Sequence, residues 1–202
     1  ALMQPNKIVL ASKSPRRHEL LWNLGLHFSL LIPDVDESYP DELPLRMVPA
    51  YLSEKKAKAG LQHLKFDELL IAADTVVLLE NHIFGKPENE GEAIAMLQYL
   101  SGNMHEVITG VTLCTRERSS TFSELTRVYF RKLEDAQIEY YVKKFRPFDK
   151  AGAYGIQEWI GLVGIEKVSG CFYNVMGLPV SRLVKELKHF GMDISDVKNE
   201  NQ

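Results

Sequence analysis

Apolar residues follow two different periods along this chain, and segments with the two periods alternate. Some segments are continuous or alternating apolar runs, which predict strands, and others repeat apolar residues every three or four positions, which predicts helices. The predicted strands lie at 8–11, at the start of 28–44, twice within 67–87, at 105–115 and 121–133, and as a glycine-rich pair within 159–173. The predicted helices begin at Pro15 and after residue 44, cover 91–102 and 134–145, and end with one opened by Pro179. Alternating strands and helices indicate an α/β fold, and the hairpin expected near Asn81-His82 makes the sheet mixed.

Two adjacent arginines, Arg16 and Arg17, fall in the first turn of the first predicted helix. Ser12 and Ser14 are N-cap candidates there, and Pro15 suits the first helical position. A cation beside the positive end of a helix dipole is unfavourable by about 0.3–1 kcal/mol. Hydroxyls, free N–H groups and guanidinium groups at a helix N-terminus therefore predict a site for phosphate.

The composition is that of a globular chain able to bury a core as one domain or as two closely packed lobes. Its 202 residues are 45% hydrophobic and 25% charged, with a net charge of −3, which argues against a general nucleic-acid binder. Cys114 and Cys171 are too few for a disulfide framework and are expected to be reduced thiols. We find no apolar run of about 18 residues and no signal-peptide pattern, and we expect a cytoplasmic protein without a membrane partner.

Asp74 is a carboxylate in the middle of the apolar segment LLIAADTVVLL. Burying an unpaired carboxylate costs several kcal/mol, so a cation or strong donors are expected beside it. Asp74 is either a metal ligand or general base, or a residue that caps a turn at the end of a strand. Lys86, in the following G-K-P loop, reaches the same place if 75–84 form a hairpin.

The acidic segment after residue 28 supplies a second carboxylate, of which Glu37 is the best candidate. Its oxygens suit Mg²⁺ or Mn²⁺ held by one or two carboxylates and by substrate phosphates, although the residues alone favour an exposed acidic loop. Lys56 is likewise either a functional cation or one of several solvated lysines on a helix.

The segment AGAYGIQ, residues 151–157, combines small residues with a terminal amide. Gly152 and Gly155 permit a positive φ or a close approach of backbone, and Gln157 offers both a donor and an acceptor. Such a loop either holds a planar base or packs tightly against a sheet.

The familiar phosphate, dinucleotide, zinc-protease and nucleophile-elbow motifs do not occur in the sequence. The remaining chemistry consists of cations that bind phosphate, separated carboxylates and a small-residue pocket. That combination indicates metal-assisted attack on a phosphoanhydride.

Six motifs together resemble one known family, the Maf family of septum-formation-inhibitor-like nucleotide pyrophosphatases. They match in order from about residue 7 to 190. They are S-K-S-P-R-R at 12–17, A-A-D-T-V-V at 72–77, G-K-P at 85–87, L-S-G-N-M-H at 100–105, D-K-A-G-A-Y-G-I-Q at 149–157 and N-V-M-G-L-P at 174–179. The resemblance implies an elongated α/β domain at 1–192, related to the inosine-triphosphate pyrophosphatases, with a central mixed sheet, flanking helices and an active-site cleft between two lobes. A polar tail is expected at 193–202.

The resemblance also implies hydrolysis of a nucleoside triphosphate to monophosphate and pyrophosphate with Mg²⁺ or Mn²⁺. Asp74 matches the family's proton acceptor, and Glu37 matches a cleft residue expected to bind the metal together with Asp74. The implied cations that stabilise the phosphates are Arg16, Arg17, Lys56 and Lys86, with Ser12 in the same phosphate-binding motif.

Three positions that separate substrates in the family are Arg16, Thr75 and Gln157 in this chain, and they look like the dTTP/UTP branch rather than the 7-methyl-GTP branch. The alternatives are an enzyme acting on modified nucleotides such as 7-methyl-GTP and a non-enzymatic regulator of cell division. The resemblance further implies a homodimer.

Overall fold

The computed structural model describes residues 4–194, so the predicted polar tail lies outside the described residues from position 195 onward. Among residues 4–194, no helix is both long enough and apolar enough to span a membrane. The strands are β1 (Lys7–Ala11), β2 (Phe28–Leu30), β3 (Glu68–Leu79), β4 (His82–Phe84), β5 (Met104–Cys114), β6 (Ser119–Phe130) and β7 (Ile165–Ser169). The α-helices are α1 (Pro15–Asn23), α2 (Val48–Leu61), α3 (Glu90–Leu100), α4 (Asp135–Phe145), α5 (Trp159–Gly164), α6 (Phe172–Met176) and α7 (Val180–His189). Short 3-10 turns cover Leu45–Met47 and Ala151–Ala153.

The described strands form a single mixed sheet. Their order is β2-β1-β3-β5-β6-β7, with β4 paired to β3. β1 runs parallel to both β2 and β3, with Ile8 opposite Phe28 and Leu69, whereas β4 runs antiparallel to β3, with Phe84 opposite Val77. The predicted α/β fold with a mixed sheet and flanking helices is confirmed.

The chain divides into two compact units. Unit 1 contains the described residues of 4–74, 109–124 and 177–194, and unit 2 contains 75–108 and 125–176. Each unit has an apolar cluster of its own, which includes Leu70 in unit 1 and Leu97 in unit 2, both fully buried. Burying one such leucine contributes about 1.5–3 kcal/mol.

The first helix begins as its sequence predicts. The Ser14 side chain accepts the N–H of Arg17 at 3.4 Å, and Pro15 occupies the first helical position. Beyond the helix end, Gly25 has a φ of 83°, which fits the left-handed residue that commonly closes a helix.

Strand β3 runs without interruption through Asp74 to Leu79, and the chain reverses at Glu80, whose φ is 56°, and Asn81. The expected hairpin with β4 is therefore present. The interpretation of Asp74 as a strand-end residue that caps a turn is wrong, because the strand continues beyond it on both sides.

The glycine-rich segment after residue 158 is not a pair of strands. It forms α5, then β7, and then α6, so only one of the two predicted strands exists. The Glu158 carbonyl accepts the N–H of Gly161 at 2.9 Å, and the Gly161 α-carbon lies against the Ile156 carbonyl, where a side chain has no room. The glycines there permit a tight helical turn, and this packing overrides the strand propensity of the apolar residues.

Candidate active site

The guanidinium of Arg17 is buried at the start of α1, in unit 1. Its Nε donates to the Gly177 carbonyl at 2.7 Å, and its Nη1 donates to Ser12 Oγ at 3.4 Å. Ser12 Oγ also accepts the N–H of Ser14 at 3.1 Å. Burial lowers the pKa of Arg17 to about 10, against the opposing effect of Asp74, so the group remains charged at neutral pH. Arg16, the preceding residue of the helix, is half-buried.

A second cluster of unit 1 centres on Lys56 of α2. Its Nζ lies 3.1 Å from Asp74 Oδ1 and 3.7 Å from Glu37 Oε1, and it donates to the Ala73 carbonyl at 3.2 Å. The side chains of Lys56 and Asp74 are 18% and 14% exposed, whereas that of Glu37 is 67% exposed. The lysine and the two carboxylates singled out in the sequence therefore come together, with Asp74 at the buried end.

Burial raises the pKa of Asp74 above its ordinary value. The charges of Lys56 and Arg17 act in the opposite direction, and the charge of Glu37 adds to the rise. A carboxylate whose pKa moves toward neutrality is a better proton acceptor at working pH than a fully solvated one. Asp74 therefore has the environment expected of a general base.

The donor set of this cluster fits a divalent metal only in company with a substrate. Among residues 4–194, no group of three or more His, Cys, Asp or Glu side chains is arranged to hold a metal ion. Asp74 and Glu37 share one lysine, however, and Mg²⁺ commonly takes one or two carboxylates and completes its shell with phosphate oxygens and water. The cluster fits that kind of ion, and not an ion enclosed by protein ligands alone.

Three further predicted site residues belong to unit 2. Thr75 follows Asp74 in β3 and is half-buried, whereas Lys86 and Gln157 are exposed. The Gly85 carbonyl accepts the N–H of Gly152 at 3.1 Å, which joins the G-K-P loop to the start of the AGAYGIQ segment.

Gly152 performs the packing role that was one of the two interpretations of the AGAYGIQ segment. Its φ is +72°, and a β-carbon placed there would lie 3.1 Å from both methyl groups of Val77 in β3. Only glycine combines this backbone conformation with such a close approach to the strand. The segment is thereby fixed to β3 two residues beyond Thr75.

Two contacts, one in each unit, involve residues to which the sequence assigned no role. Gly177 lies in the N-V-M-G-L-P motif, where its φ of +120° favours glycine and its carbonyl accepts from Arg17. Tyr141 of α4 bonds to the backbone of Gly155 at 3.0 Å, a contact for which no motif gave a signal.

The amino-acid sequence matches one family of known proteins over most of its length. The model of the Maf-like protein family matches residues 7–190. The chain belongs to the Maf family. A dTTP/UTP pyrophosphatase of Parabacteroides distasonis is 52% identical over 185 residues, which are 91% of this chain and 96% of that protein. A dTTP/UTP pyrophosphatase of Cytophaga hutchinsonii is 51% identical over 181 residues, which are 90% of this chain and 83% of that protein.

A solved structure also resembles part of this Maf family chain. The Staphylococcus aureus Ham1 protein has a TM-score of 0.44 and 16% sequence identity, and the match covers 61% of this chain and 71% of that protein. Family membership itself rests on the match over residues 7–190, which confirms the resemblance drawn from the six motifs.

Proposed function

We propose that this Maf family member is a hydrolase that converts dTTP and UTP to the nucleoside monophosphate and pyrophosphate. The observation that carries the proposal is the pairing of Asp74 with Lys56 at 3.1 Å, buried and within the field of Arg17. The names of relatives at about half sequence identity, dTTP/UTP pyrophosphatase, support the same reaction.

Asp74 is the proposed proton acceptor. A water molecule attacks the α-phosphorus, its proton passes to the Asp74 carboxylate, and the bond from the α-phosphorus to the bridging oxygen breaks. Lys56 holds the carboxylate in a fixed orientation, which keeps one oxygen engaged and leaves the other for water. The raised pKa of Asp74 makes the proton transfer easier at neutral pH.

Cations stabilise the negative charge that collects on the departing pyrophosphate. Arg17 is the best placed of these in unit 1, because its Nε is bonded to Gly177 and its guanidinium plane is fixed before substrate arrives. Groups oriented in advance stabilise developing charge without the cost of reorganisation. We assign the same role to Arg16, Lys56 and Lys86, and Ser12 supports Arg17.

We also propose that a divalent cation, Mg²⁺ or Mn²⁺, is held by Asp74, Glu37 and the substrate phosphates. When bound, it supplies Lewis acidity and neutralises phosphate charge. Lys56 contacts both carboxylates and offsets their mutual repulsion.

Gln157 and Thr75 are the proposed base-recognition residues. Uracil and thymine present one N–H donor between two carbonyl acceptors, and a carboxamide offers one acceptor and two donors to that edge. Cytosine presents an amino group and an unprotonated N3 instead, which leaves polar groups of the site unpaired. UTP and dTTP are therefore expected to be preferred over CTP.

The decisive experiment is a pyrophosphate-release assay with Mn²⁺ or Mg²⁺ on dTTP, UTP, CTP, ATP, GTP and 7-methyl-GTP, with Asp74→Asn as the control for contaminating activity. We expect dTTP and UTP to be hydrolysed well ahead of the others. Hydrolysis of 7-methyl-GTP as the best substrate would refute the base assignment, and no release from any triphosphate would favour a non-enzymatic regulator. Light scattering on the same preparation tests the proposed homodimer. The proposed cytoplasmic localisation fits a substrate from the nucleotide pool.

A further inference from the structure

The hydroxyl of Tyr141 holds the segment that carries Gln157 at two points, one on each side of that residue. Tyr141 Oη accepts the N–H of Gly155 at 3.0 Å and donates to Glu158 Oε1 at 2.9 Å. The side chain of Tyr141 is fully buried in α4 and its ring stacks on Phe145. One rigid, buried group therefore fixes the backbone before Gln157 and the side chain after it.

The carboxylate of Glu158 has a second partner in the same segment. Lys150 Nζ lies 3.3 Å from Glu158 Oε1, and both side chains are largely shielded from solvent, at 12% and 19% exposure. The ion pair therefore connects the two ends of residues 150–158 beside the Tyr141 hydroxyl. Burial raises the pKa of Tyr141, so the hydroxyl keeps the proton that it donates to Glu158.

Gly155 lies beside the side chains of Glu158, Lys150 and Gln157. A β-carbon placed on Gly155 would lie 2.5 Å from Glu158 Oε1, 2.9 Å from Lys150 Cε and 3.2 Å from Gln157 Oε1. Its φ is not in the left-handed region, and the three nearest contacts of such a β-carbon are side-chain atoms, so a small side chain there would displace these groups. The carboxamide of Gln157 therefore lies against the Gly155 α-carbon, next to the Glu158 carboxylate to which Tyr141 donates.

We infer that Tyr141, acting through Gly155 and Glu158, is a positioning residue that sets the orientation of Gln157 and so the selectivity for the pyrimidine base. The inference rests on the proposed role of Gln157. An exposed glutamine has many rotamers, and ordering such a side chain on binding costs conformational entropy. Tyr141 holds the backbone of Gly155 and the side chain of Glu158 on either side of Gln157, and the missing side chain at Gly155 leaves room for the Gln157 carboxamide in one orientation before substrate binds.

The test compares kcat and KM for UTP and CTP in the parent, Tyr141→Phe, Gln157→Ala and the double variant. Tyr141→Phe keeps the ring and its packing but removes both bonds. Losing a buried hydrogen bond of this kind corresponds to roughly a tenfold change, so we expect the UTP-to-CTP ratio of kcat/KM to fall about tenfold. The fall should come from a higher KM for UTP, with kcat nearly unchanged. In the Gln157→Ala background, Tyr141→Phe should leave the ratio as it is, since the residue through which it acts is gone.

Tyr140→Phe is the matched control, because Tyr140 is the adjacent, exposed residue of α4 and its hydroxyl bonds only to Lys144 among the described contacts, at 3.0 Å. The UTP-to-CTP ratio of kcat/KM for Tyr140→Phe should equal that of the parent. Gly155→Ala is a second variant, which meets only the far ends of flexible side chains and should lower the ratio without unfolding the protein.

Three outcomes would overturn the inference. If Tyr141→Phe lowered the melting temperature but kept the selectivity ratio, the network would be purely structural. The inference would also be wrong if Tyr141→Phe lowered the ratio equally with and without Gln157. A parent protein without preference for UTP over CTP would overturn the proposed base recognition as well, which distinguishes that failure from the first two.

Discussion

Arg17 Nε donates to the carbonyl oxygen of Gly177 at 2.7 Å, a contact between residues 160 positions apart in the sequence. The position of Arg17 in the first turn of α1 predicted an anionic ligand for it, because a cation is unfavourable at that end of a helix. The structure gives the guanidinium a carbonyl and a hydroxyl as partners and places it in the field of Asp74. The arginine is thus a structural element of unit 1 as well as a candidate phosphate ligand.

Arg17→Lys tests this double role. A lysine ammonium keeps the charge but cannot reproduce the planar, two-point arrangement that binds Gly177 and Ser12. Loss of a charged hydrogen bond to a buried carbonyl costs about 1.5–3 kcal/mol, so we expect a lower free energy of unfolding by that order in urea titrations. Binding of UTP, followed by its shift of the melting temperature, should weaken as well.

Lys13→Ala is the control for the arginine experiment, since Lys13 is an exposed cation of the same segment. Its free energy of unfolding should change by less than about 0.5 kcal/mol. An Arg17→Lys variant as stable as the parent would contradict a structural role for the Gly177 contact.

Asp74→Asn should abolish most of the catalytic activity and keep the fold. The amide is nearly isosteric with the carboxyl group and can stay bonded to Lys56 through its oxygen, but it cannot accept the proton of water. General-base catalysis contributes about 10²–10⁴-fold, and we expect a loss of kcat in that range with dTTP or UTP. Turnover within a few-fold of the parent would move the base elsewhere, with Glu37 as the next residue to test.

Although Asp74→Asn should lower the activity, we expect it to raise the stability of the folded protein near pH 7. Burial raises the pKa of Asp74 in the folded protein, whereas the unfolded chain titrates near its ordinary value of about 3.9. Folding therefore favours the protonated form, and the stability that this group adds is complete below about pH 3.9 and is lost as the pH rises through the folded pKa. We expect Asp74→Asn, which mimics the neutral form, to melt at a higher temperature than the parent near pH 7.

Thermal unfolding of both proteins between about pH 4 and 8 measures this effect, and the difference in melting temperature should shrink toward the acid end. A parent protein that is more stable than Asp74→Asn near pH 7 would mean that the attraction of Lys56 and Arg17 outweighs the burial of the carboxylate. Activity should fall in the acid limb as Asp74 takes up its proton.

The local signals in the sequence predicted much of the fold because they act over a few residues. Ser14 and Pro15 start α1 as expected, and Asp74 was notable as a carboxylate within an apolar run. Its pairing with Lys56 joins a strand to a helix 18 positions away, which no local pattern encodes.

The features that the sequence analysis predicted wrongly or missed depend on tertiary packing, which local patterns do not report. The strand pair predicted after residue 158 was wrong because apolar residues with strand propensity form α5, in which Gly161 and Gly164 pack too closely against Ile156 and Leu133 to carry a side chain. Tyr141 went unnoticed because a tyrosine at a buried helical position is ordinary in sequence, and its hydroxyl gains meaning only from Gly155 and Glu158.

Removal of divalent metal should stop catalysis without unfolding the protein. Among the described residues, only the carboxylates of Asp74 and Glu37 face Lys56. A metal in this cluster therefore depends on substrate phosphates for its remaining ligands. We expect excess chelator to lower pyrophosphate release by roughly 100-fold or more and to shift the melting temperature of the nucleotide-free protein by less than about 1 °C. Added Mn²⁺ or Mg²⁺ should restore the activity. A large drop in melting temperature on chelation would indicate a structural metal ion instead.

Gln157→Glu tests base recognition by changing the pattern of donors and acceptors at nearly constant side-chain size. The negative charge that it adds acts on UTP and CTP alike, so the ratio of the two reports on the base. The carboxylate keeps the size of the side chain but loses both N–H donors, so it can no longer donate to a carbonyl of uracil or thymine. It still accepts from an N–H, which the amino group of cytosine supplies. We expect kcat/KM for UTP to fall about tenfold or more and the UTP-to-CTP ratio to fall with it, a loss that corresponds to about 1.4 kcal/mol. Because Gln157 is exposed, the melting temperature should stay that of the parent. An unchanged ratio in a normally folded variant would show that Gln157 does not contact the base, and Thr75 would then be the residue to substitute next.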